Sequence, residues 1–283
     1  MWVSESELEG SLAVSSPTGN DLPRPRDGFL PSRLWRTCCA AALAVGRHVL
    51  DFFYPPHCAG CSIRLGTARA LCGGCWSSVQ FIEHPYCAVL GIPFAHNQGE
   101  EAISTRAMAE PPDFDRLRAV ASYNGVVRSI VHGLKYRDRT DLSLMMAAWM
   151  VRAGREALQD ADVIIPVPLH RNRLFLRRFN QSAELARAIA RQSGIAYHPR
   201  ALLRRKATAR QVGLGRKARL DNVRGAFAVT TEGREALFGK RVILVDDVFT
   251  TGATVSAAAR ALKRVGVTDV TVLTFAMAQA EPI

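Results

Sequence analysis

The chain has 283 residues, 48% of them hydrophobic and 22% charged, with 37 Lys and Arg against 25 Asp and Glu for a formal net charge of +12. At roughly 100–200 residues per domain, this length holds one medium domain with a small companion, or two domains; the apolar fraction excludes a chain disordered over most of its length. The basic excess favours anionic partners, and a phosphorylated small molecule, a nucleic acid and an acidic membrane surface all carry the matching sign.

Residues 1–30 are rich in Ser, Pro, Gly and acids, show no apolar periodicity, and are expected to form a disordered leader. Residues 31–56 contain the apolar run Cys38-Cys39-Ala40-Ala41-Ala42-Leu43-Ala44-Val45, bracketed by Arg36, Arg47 and His48. That run falls well short of the ~20 apolar residues a bilayer span needs, and a secretory signal would open with its charged region. An amphipathic helix packed on the body of the protein is expected, with a basic helix lying on a membrane surface as the alternative. No transmembrane segment and a cytoplasmic location are expected. Cys38 and Cys39 read as small buried residues.

Four of the seven cysteines fall as Cys58-x2-Cys61 and Cys72-x2-Cys75. Two such knuckles let paired thiolates approach one ion from two tight turns, and Gly60, Gly73 and Gly74 supply the backbone freedom those turns need. A four-cysteine zinc ribbon is expected over residues 57–92. A redox CxxC normally opens a helix after a strand, and nothing strand-like precedes either pair. With no open ligand position implied, the zinc is expected to be structural.

Residues 93–115 carry Gly99, Pro111 and Pro112 in a weak pattern and read as a linker, leaving residues 116–283 as the larger domain. Residues 117–123 read as a strand. Val126, Val127, Ile130, Val131 and Leu134 then follow helical spacing, and a second helix is expected over 142–158. The run Val163-Ile164-Ile165-Pro166-Val167-Pro168 fits a strand buried on both faces and stopped by its prolines. Asn180 is placed to cap a helix that Gly194 ends. A strand over 241–245, a hydroxyl-rich turn, a helix ending at Gly266 and a strand over 269–275 complete a parallel α/β unit, in which ligands bind at the carboxyl ends of the strands.

Asp246 and Asp247 emerge at the end of that penultimate strand, followed by Thr250-Thr251-Gly252-Ala253-Thr254 at a helix N-terminus. Freed N–H groups and Thr hydroxyls there form a cradle for a phosphate. Like charges repel, so the carboxylates suit sugar hydroxyls instead, and the combination points to a phosphorylated sugar. No G-x-x-x-x-G-K-[ST] is present, which argues against a nucleoside triphosphatase.

This stretch resembles the phosphoribosyl-pyrophosphate signature of type I phosphoribosyltransferases. Leu134-Lys135-Tyr136, Pro166-Val167-Pro168-Leu169-His170, Arg178-Phe179-Asn180-Gln181 and Asn222-Val223-Arg224-Gly225-Ala226-Phe227, together with the preceding ribbon, are similar to the ComF (competence protein F) family. The resemblance implies a type I phosphoribosyltransferase-like parallel sheet flanked by helices. It implies Asp246 and Asp247 on the ribose hydroxyls, and Thr250, Thr251, Gly252, Ala253 and Thr254 on the 5′-phosphate. Arg171, Arg173, Arg177 and Arg178 become candidates for the diphosphate, which forked guanidinium donors suit. Lys135 is open between a ligand contact and a favourable place at a helix end. Mg²⁺ would arrive with the substrate. Implied partners are phosphoribosyl pyrophosphate, single-stranded DNA and DNA-uptake or helicase proteins; catalysis of transfer stays open, because no acceptor pocket is legible.

Relatives with a double ribbon carry a further CxxC where this chain has Cys87-Ala88-Val89-Leu90, so a second complete zinc site is not expected, and Cys87 reads as a packed residue. The alternative function is a non-catalytic single-stranded-DNA-binding factor. Residues 171–224 hold 15 Lys and Arg against Glu184 and Asp221, a surplus of 13 that suits a phosphate backbone. Aromatic residues for stacking are sparse there.

Overall fold

The structure is a computed structural model, and it describes residues 55–67, 70–136, 139, 141–170, 179–206 and 225–278. All of them belong to one compact unit, Tyr54–Ile283. The expected leader, most of the amphipathic helix, and Cys38 and Cys39 lie outside the described residues. In chain order the elements are α1 (Gly73–Ser77), α2 (Thr105–Ala109), β1 (Arg116–Ser122), α3 (Gly125–Tyr136), α4 (Leu142–Ala153), α5 (Arg155–Gln159), β2 (Val163–Pro166), α6 (Gln181–Ser193), β3 (Ala196–Tyr197), β4 (Leu202–Arg204), β5 (Phe227–Val229), α7 (Thr231–Leu237), β6 (Arg241–Phe249), α8 (Ala253–Lys263) and β7 (Asp269–Met277).

Five strands form a parallel sheet in the order β1-β7-β6-β2-β3, while β4 and β5 pair antiparallel as a separate hairpin. Side chains alternate between the faces of a strand, so a sheet covered on both sides requires continuous apolar runs. Val242 and Leu244 of β6 join Val163, Ile165, Val270 and Val272 in one core, where α8 contributes Val255, Ala258, Ala259 and Leu262. Ile243 and Val245 join Ile164, Leu273 and Phe275 in the other, under Ile130 and Leu134 of α3, Met146 and Met150 of α4, and Leu185 and Ile189 of α6.

β1 is an edge strand, and the Cys-rich segment covers it. Phe81 bridges antiparallel to Ala121. The Ile82 N–H donates to the Val120 carbonyl at 2.9 Å and the Leu117 N–H to the Val89 carbonyl at 2.8 Å. An edge closed in this way offers no ladder to another chain.

Three features differ from the sequence expectation. Residues 93–115 contain α2 and bury Phe94, Ala107 and Phe114 in the sheet core. The helix expected over 142–158 divides at Gly154, where a Cβ would lie 2.9 Å from Leu273 Cδ1, so the chain turns and restarts as α5. β6 continues through the two aspartates to Phe249, because β7 still pairs with it there. Among the described residues no helix is long and apolar enough to cross a membrane.

Candidate functional site

The ladder between β2 and β6 ends at Pro166↔Val245, with the Val167 N–H donating to the Val245 carbonyl at 2.9 Å. Beyond that point β6 pairs only with β7, through Asp246↔Thr274 and Val248↔Ala276. Asp246 and Asp247 therefore stand at the carboxyl edge of the sheet, where the neighbouring strand has stopped. The start of α6 closes in from that side. Asn180 caps it, its Oδ1 accepting from the Ser182 N–H at 3.2 Å while its Nδ2 donates to the Val167 carbonyl at 3.0 Å. Ser182 Oγ then donates to Asp246 Oδ1 at 2.8 Å, and the Asp247 N–H reaches the same oxygen at 2.9 Å. Sequence reasoning missed Ser182; its position two residues after a capping Asn was the available signal.

Lys135, in the last turn of α3, places Nζ 2.8 Å from Asp247 Oδ1, with side chains only 18% and 11% exposed. Its two sequence readings thus meet at the site, because the helix end delivers the ammonium to a carboxylate. Burial first, and the Asp247 charge second, push Asp246 up to about 7, against the opposing pull of the Ser182 hydroxyl and Lys135. A carboxyl group so displaced, at a strand end beside a second carboxylate, marks a candidate functional site.

Residues 250–252 turn β6 into α8. Gly252, at φ 78°, precedes the helix, and a Cβ there would come within 3.0 Å of the Phe249 ring. A left-handed backbone against an aromatic ring admits glycine alone without strain. Thr250 is exposed and Thr254 half-buried. Thr251 Oγ1 is buried with no hydrogen-bond partner among the described residues. Native folds seldom leave such a group unsatisfied, so a ligand oxygen fits there. The first N–H groups of α8 likewise have no acceptor within the helix, which makes this end an anion cradle.

Arg171, Arg173, Arg177 and Arg178 lie outside the described residues, as does much of the basic segment. Within its described part Arg205 and Lys206 are exposed. Arg204 is instead buried, its guanidinium carbon 5.3 Å from the centroid of the Phe227 ring across the β4–β5 hairpin. Arg204 holds that hairpin and is unavailable to a phosphate backbone.

The Sγ atoms of Cys58, Cys61, Cys72 and Cys75 lie within 4.8 Å of one another. Tetrahedral zinc–thiolate geometry puts sulfurs ~3.8 Å apart, and Cys61 and Cys72 are separated by 3.7 Å. Burial opposes ionisation of Cys58, but N–H donors from Cys61, Cys72 and Gly60 outweigh it and hold the thiol down at about 6. Cys72 caps α1, accepting from the Cys75 N–H at 3.4 Å. Thiolates alone make up the cluster, the donor set of a structural zinc ribbon. Trp76, which follows it, packs against Phe81 and Trp149 with ring centroids 5.3 Å away in each case.

A parallel sheet with an acidic strand end and a phosphate cradle, preceded by a four-cysteine ribbon, defines a zinc-ribbon protein with a phosphoribosyltransferase-type domain. Residues 181–282 match the phosphoribosyl transferase domain and residues 49–106 the double zinc ribbon domain. DNA utilization protein YhgH of Shigella flexneri is 31% identical over 248 residues, covering 86% of this chain and 96% of that protein. Competence protein F of Haemophilus influenzae is 28% identical over 229 residues, covering 78% and 96%. The chain belongs to the ComF (competence protein F) family.

The name double zinc ribbon implies a second metal, and the residues here do not fit one. Cys87 is fully buried, and its Sγ accepts the N–H groups of Leu90 and Ser104, each at 3.3 Å. Among the described residues the only group of three or more metal-binding side chains is that of the first ribbon.

Proposed function

We propose that the chain binds phosphoribosyl pyrophosphate with Mg²⁺ at the carboxyl ends of β2 and β6, as a phosphoribosyltransferase-like protein serving DNA uptake or nucleotide metabolism. The observation that carries this reading is the adjacency of the Asp246–Asp247 pair to a loop with a buried, unpartnered Thr251 hydroxyl. The carboxylates accept hydrogen bonds from vicinal ribose hydroxyls. Thr250, Thr251, Thr254 and the backbone of Gly252 and Ala253 hold the 5′-phosphate, and Arg171, Arg173, Arg177 and Arg178 serve the diphosphate. Mg²⁺ rides on diphosphate and ribose oxygens and neutralises charge on the leaving group. In transfer, the bond from the anomeric carbon to diphosphate breaks with its electron pair going to diphosphate, while an acceptor nucleophile bonds to that carbon. Side chains then need only to position and stabilise. Calorimetry with phosphoribosyl pyrophosphate and Mg²⁺ tests the site: the wild type binds and the double variant Asp246→Asn, Asp247→Asn does not. Absence of binding by the wild type overturns the reading.

A second reading rests on the surplus of 13 positive charges over residues 171–224 and on the names of the relatives. A non-catalytic factor would follow a single DNA strand along this segment, with affinity falling steeply as salt rises. Fluorescence anisotropy with a labelled oligonucleotide checks it. The Arg205→Ala, Lys206→Ala variant should bind more weakly and with a salt slope shallower by about two; unchanged binding counts against the segment.

A further inference from the structure

The Cys-rich segment is built twice. His57-Cys58-Ala59-Gly60-Cys61-Ser62-Ile63-Arg64-Leu65 and Tyr86-Cys87-Ala88-Val89-Leu90-Gly91-Ile92-Pro93-Phe94 share Cys, Ala and Ile at matching places. Their backbones bond alike. Cys58 N–H donates to the Ile63 carbonyl and Cys87 N–H to Ile92, both at 2.8 Å; Leu65 donates to Pro56 and Phe94 to Pro85, again at 2.8 Å. Ser62 donates to the Cys58 carbonyl and Gly91 to Cys87, and these two residues have φ of 64° and 59°. Isolated bridges join His57 to Arg64 and Tyr86 to Pro93.

The second half of each lobe agrees as well. Ala59 donates to the Ala70 carbonyl and Ala88 to Ala102. Cys72 N–H donates to Cys58 Sγ and Ser104 N–H to Cys87 Sγ, each at 3.3 Å. Cys72 then caps α1 and Ser104 caps α2, both five-residue helices. The cap accepts from Cys75 N–H at 3.4 Å in one lobe and from Ala107 N–H at 3.3 Å in the other.

We propose that residues 85–109 are a second zinc ribbon that has lost its metal, with Cys87, Leu90, Ser104 and Ala107 standing at the four ligand positions. Leu90 and Ala107 offer no donor, and a lone thiol with a lone hydroxyl does not hold zinc. All four side chains are buried, so apolar packing occupies the centre that the ion fills in the first lobe. The backbone scaffold of the knuckle survives because its N–H groups still find a sulfur and a hydroxyl to donate to.

Zinc analysis of the full chain, purified reduced and without chelator, should give about one equivalent. Cys58→Ser should abolish it and Cys87→Ser leave it unchanged; two equivalents, or loss of one on Cys87→Ser, would overturn the proposal. The triple variant L90C/S104C/A107C should take up a second Co²⁺ with a thiolate charge-transfer band. A folded triple variant holding no more cobalt than the wild type refutes the assignment of positions. Hydrogen exchange on the wild-type chain needs no variant. Chelation should release the amides of Cys58, Ser62 and Leu65 and leave those of Cys87, Gly91 and Phe94 protected, whereas equal loss in both lobes contradicts a metal-free second ribbon.

Discussion

Replacing Asp246 by Asn should stabilise the protein, and increasingly so as pH rises. Burial and the Asp247 charge lift this carboxyl from 3.8 to about 7. The folded state then holds the Asp246 proton more tightly than the unfolded chain does. Ionisation therefore favours unfolding, and the wild type loses stability as pH climbs from about 4 to about 7. At about 1.4 kcal/mol for each tenfold difference in proton affinity, the loss is ~4 kcal/mol at pH 8, ~2 kcal/mol at pH 5 and close to nothing at pH 3. Asparagine removes the charge but keeps an oxygen for Ser182 Oγ and the Asp247 N–H, which stand 2.8 and 2.9 Å away. Urea unfolding at the three pH values reads the effect directly. Wild type and variant should coincide near pH 3, and the variant should gain several kcal/mol at pH 8, or roughly 10 °C in Tm for a protein of this size. A gap that does not grow with pH, or a variant no more stable at pH 8, refutes the reasoning. A variant that gains stability while losing the sugar phosphate would mark Asp246 as a residue kept for binding at the expense of the fold.

Lys135→Met leaves the buried Asp247 carboxylate beside Asp246 without its cation and should cost ~3–5 kcal/mol at pH 8; a double-mutant cycle with Asp247→Asn should recover much of that loss, and strict additivity would deny the ion pair. Thr251→Val removes a hydroxyl with no partner among the described residues, so thermal stability should hold or rise while affinity for phosphoribosyl pyrophosphate falls by roughly tenfold. A marked fall in Tm would show that the fold itself uses the hydroxyl. Gly252→Ala forces a side chain to φ 78° and 3.0 Å from the Phe249 ring; at ~1–2 kcal/mol for the backbone alone, denaturant unfolding should detect it, and an unchanged midpoint would argue against the tight turn.

The parts of the fold that were legible are those whose cause is local. Asn180 and Gly194 bound α6 as capping chemistry requires, with Gly194 at φ 76°. The apolar runs of β2, β6 and β7 were plain because a sheet buried on both faces admits little else. What was hidden is tertiary. Only the approach of α3 and α6 to one strand end brings Lys135 and Ser182 to the two aspartates. The break at Gly154 is imposed by Leu273, over a hundred residues away in the chain. β6 outruns its apolar stretch because β7, not its own pattern, decides where its ladder ends. β3 has two residues and β4 and β5 three each, too few to show a period. The second ribbon was obscured because a reader searches for cysteines, and three of the four positions no longer hold one.

Burial explains why one lobe keeps its metal and the other does not. In the first, Cys61 is exposed, Cys72 half-buried and Ile63 58% exposed. A module of that size buries too little apolar surface to offset its chain entropy, and the zinc ion supplies the difference as folding energy. In the second, Tyr86, Leu90, Ile92 and Phe94 enter the same core as Leu117, Val272 and Leu262. Burying four such side chains at roughly 2 kcal/mol each contributes on the order of 8 kcal/mol, close to the ~10 kcal/mol at the lower end for a structural zinc site. Gly91 permits this closeness, since a Cβ there would sit 2.5 Å from the Leu117 carbonyl oxygen. Once the sheet face stabilises a knuckle, its ligand cysteines are free to drift to Leu, Ser and Ala. The lobe whose cysteines face solvent has no such substitute, so each of its four thiolates remains indispensable to its fold.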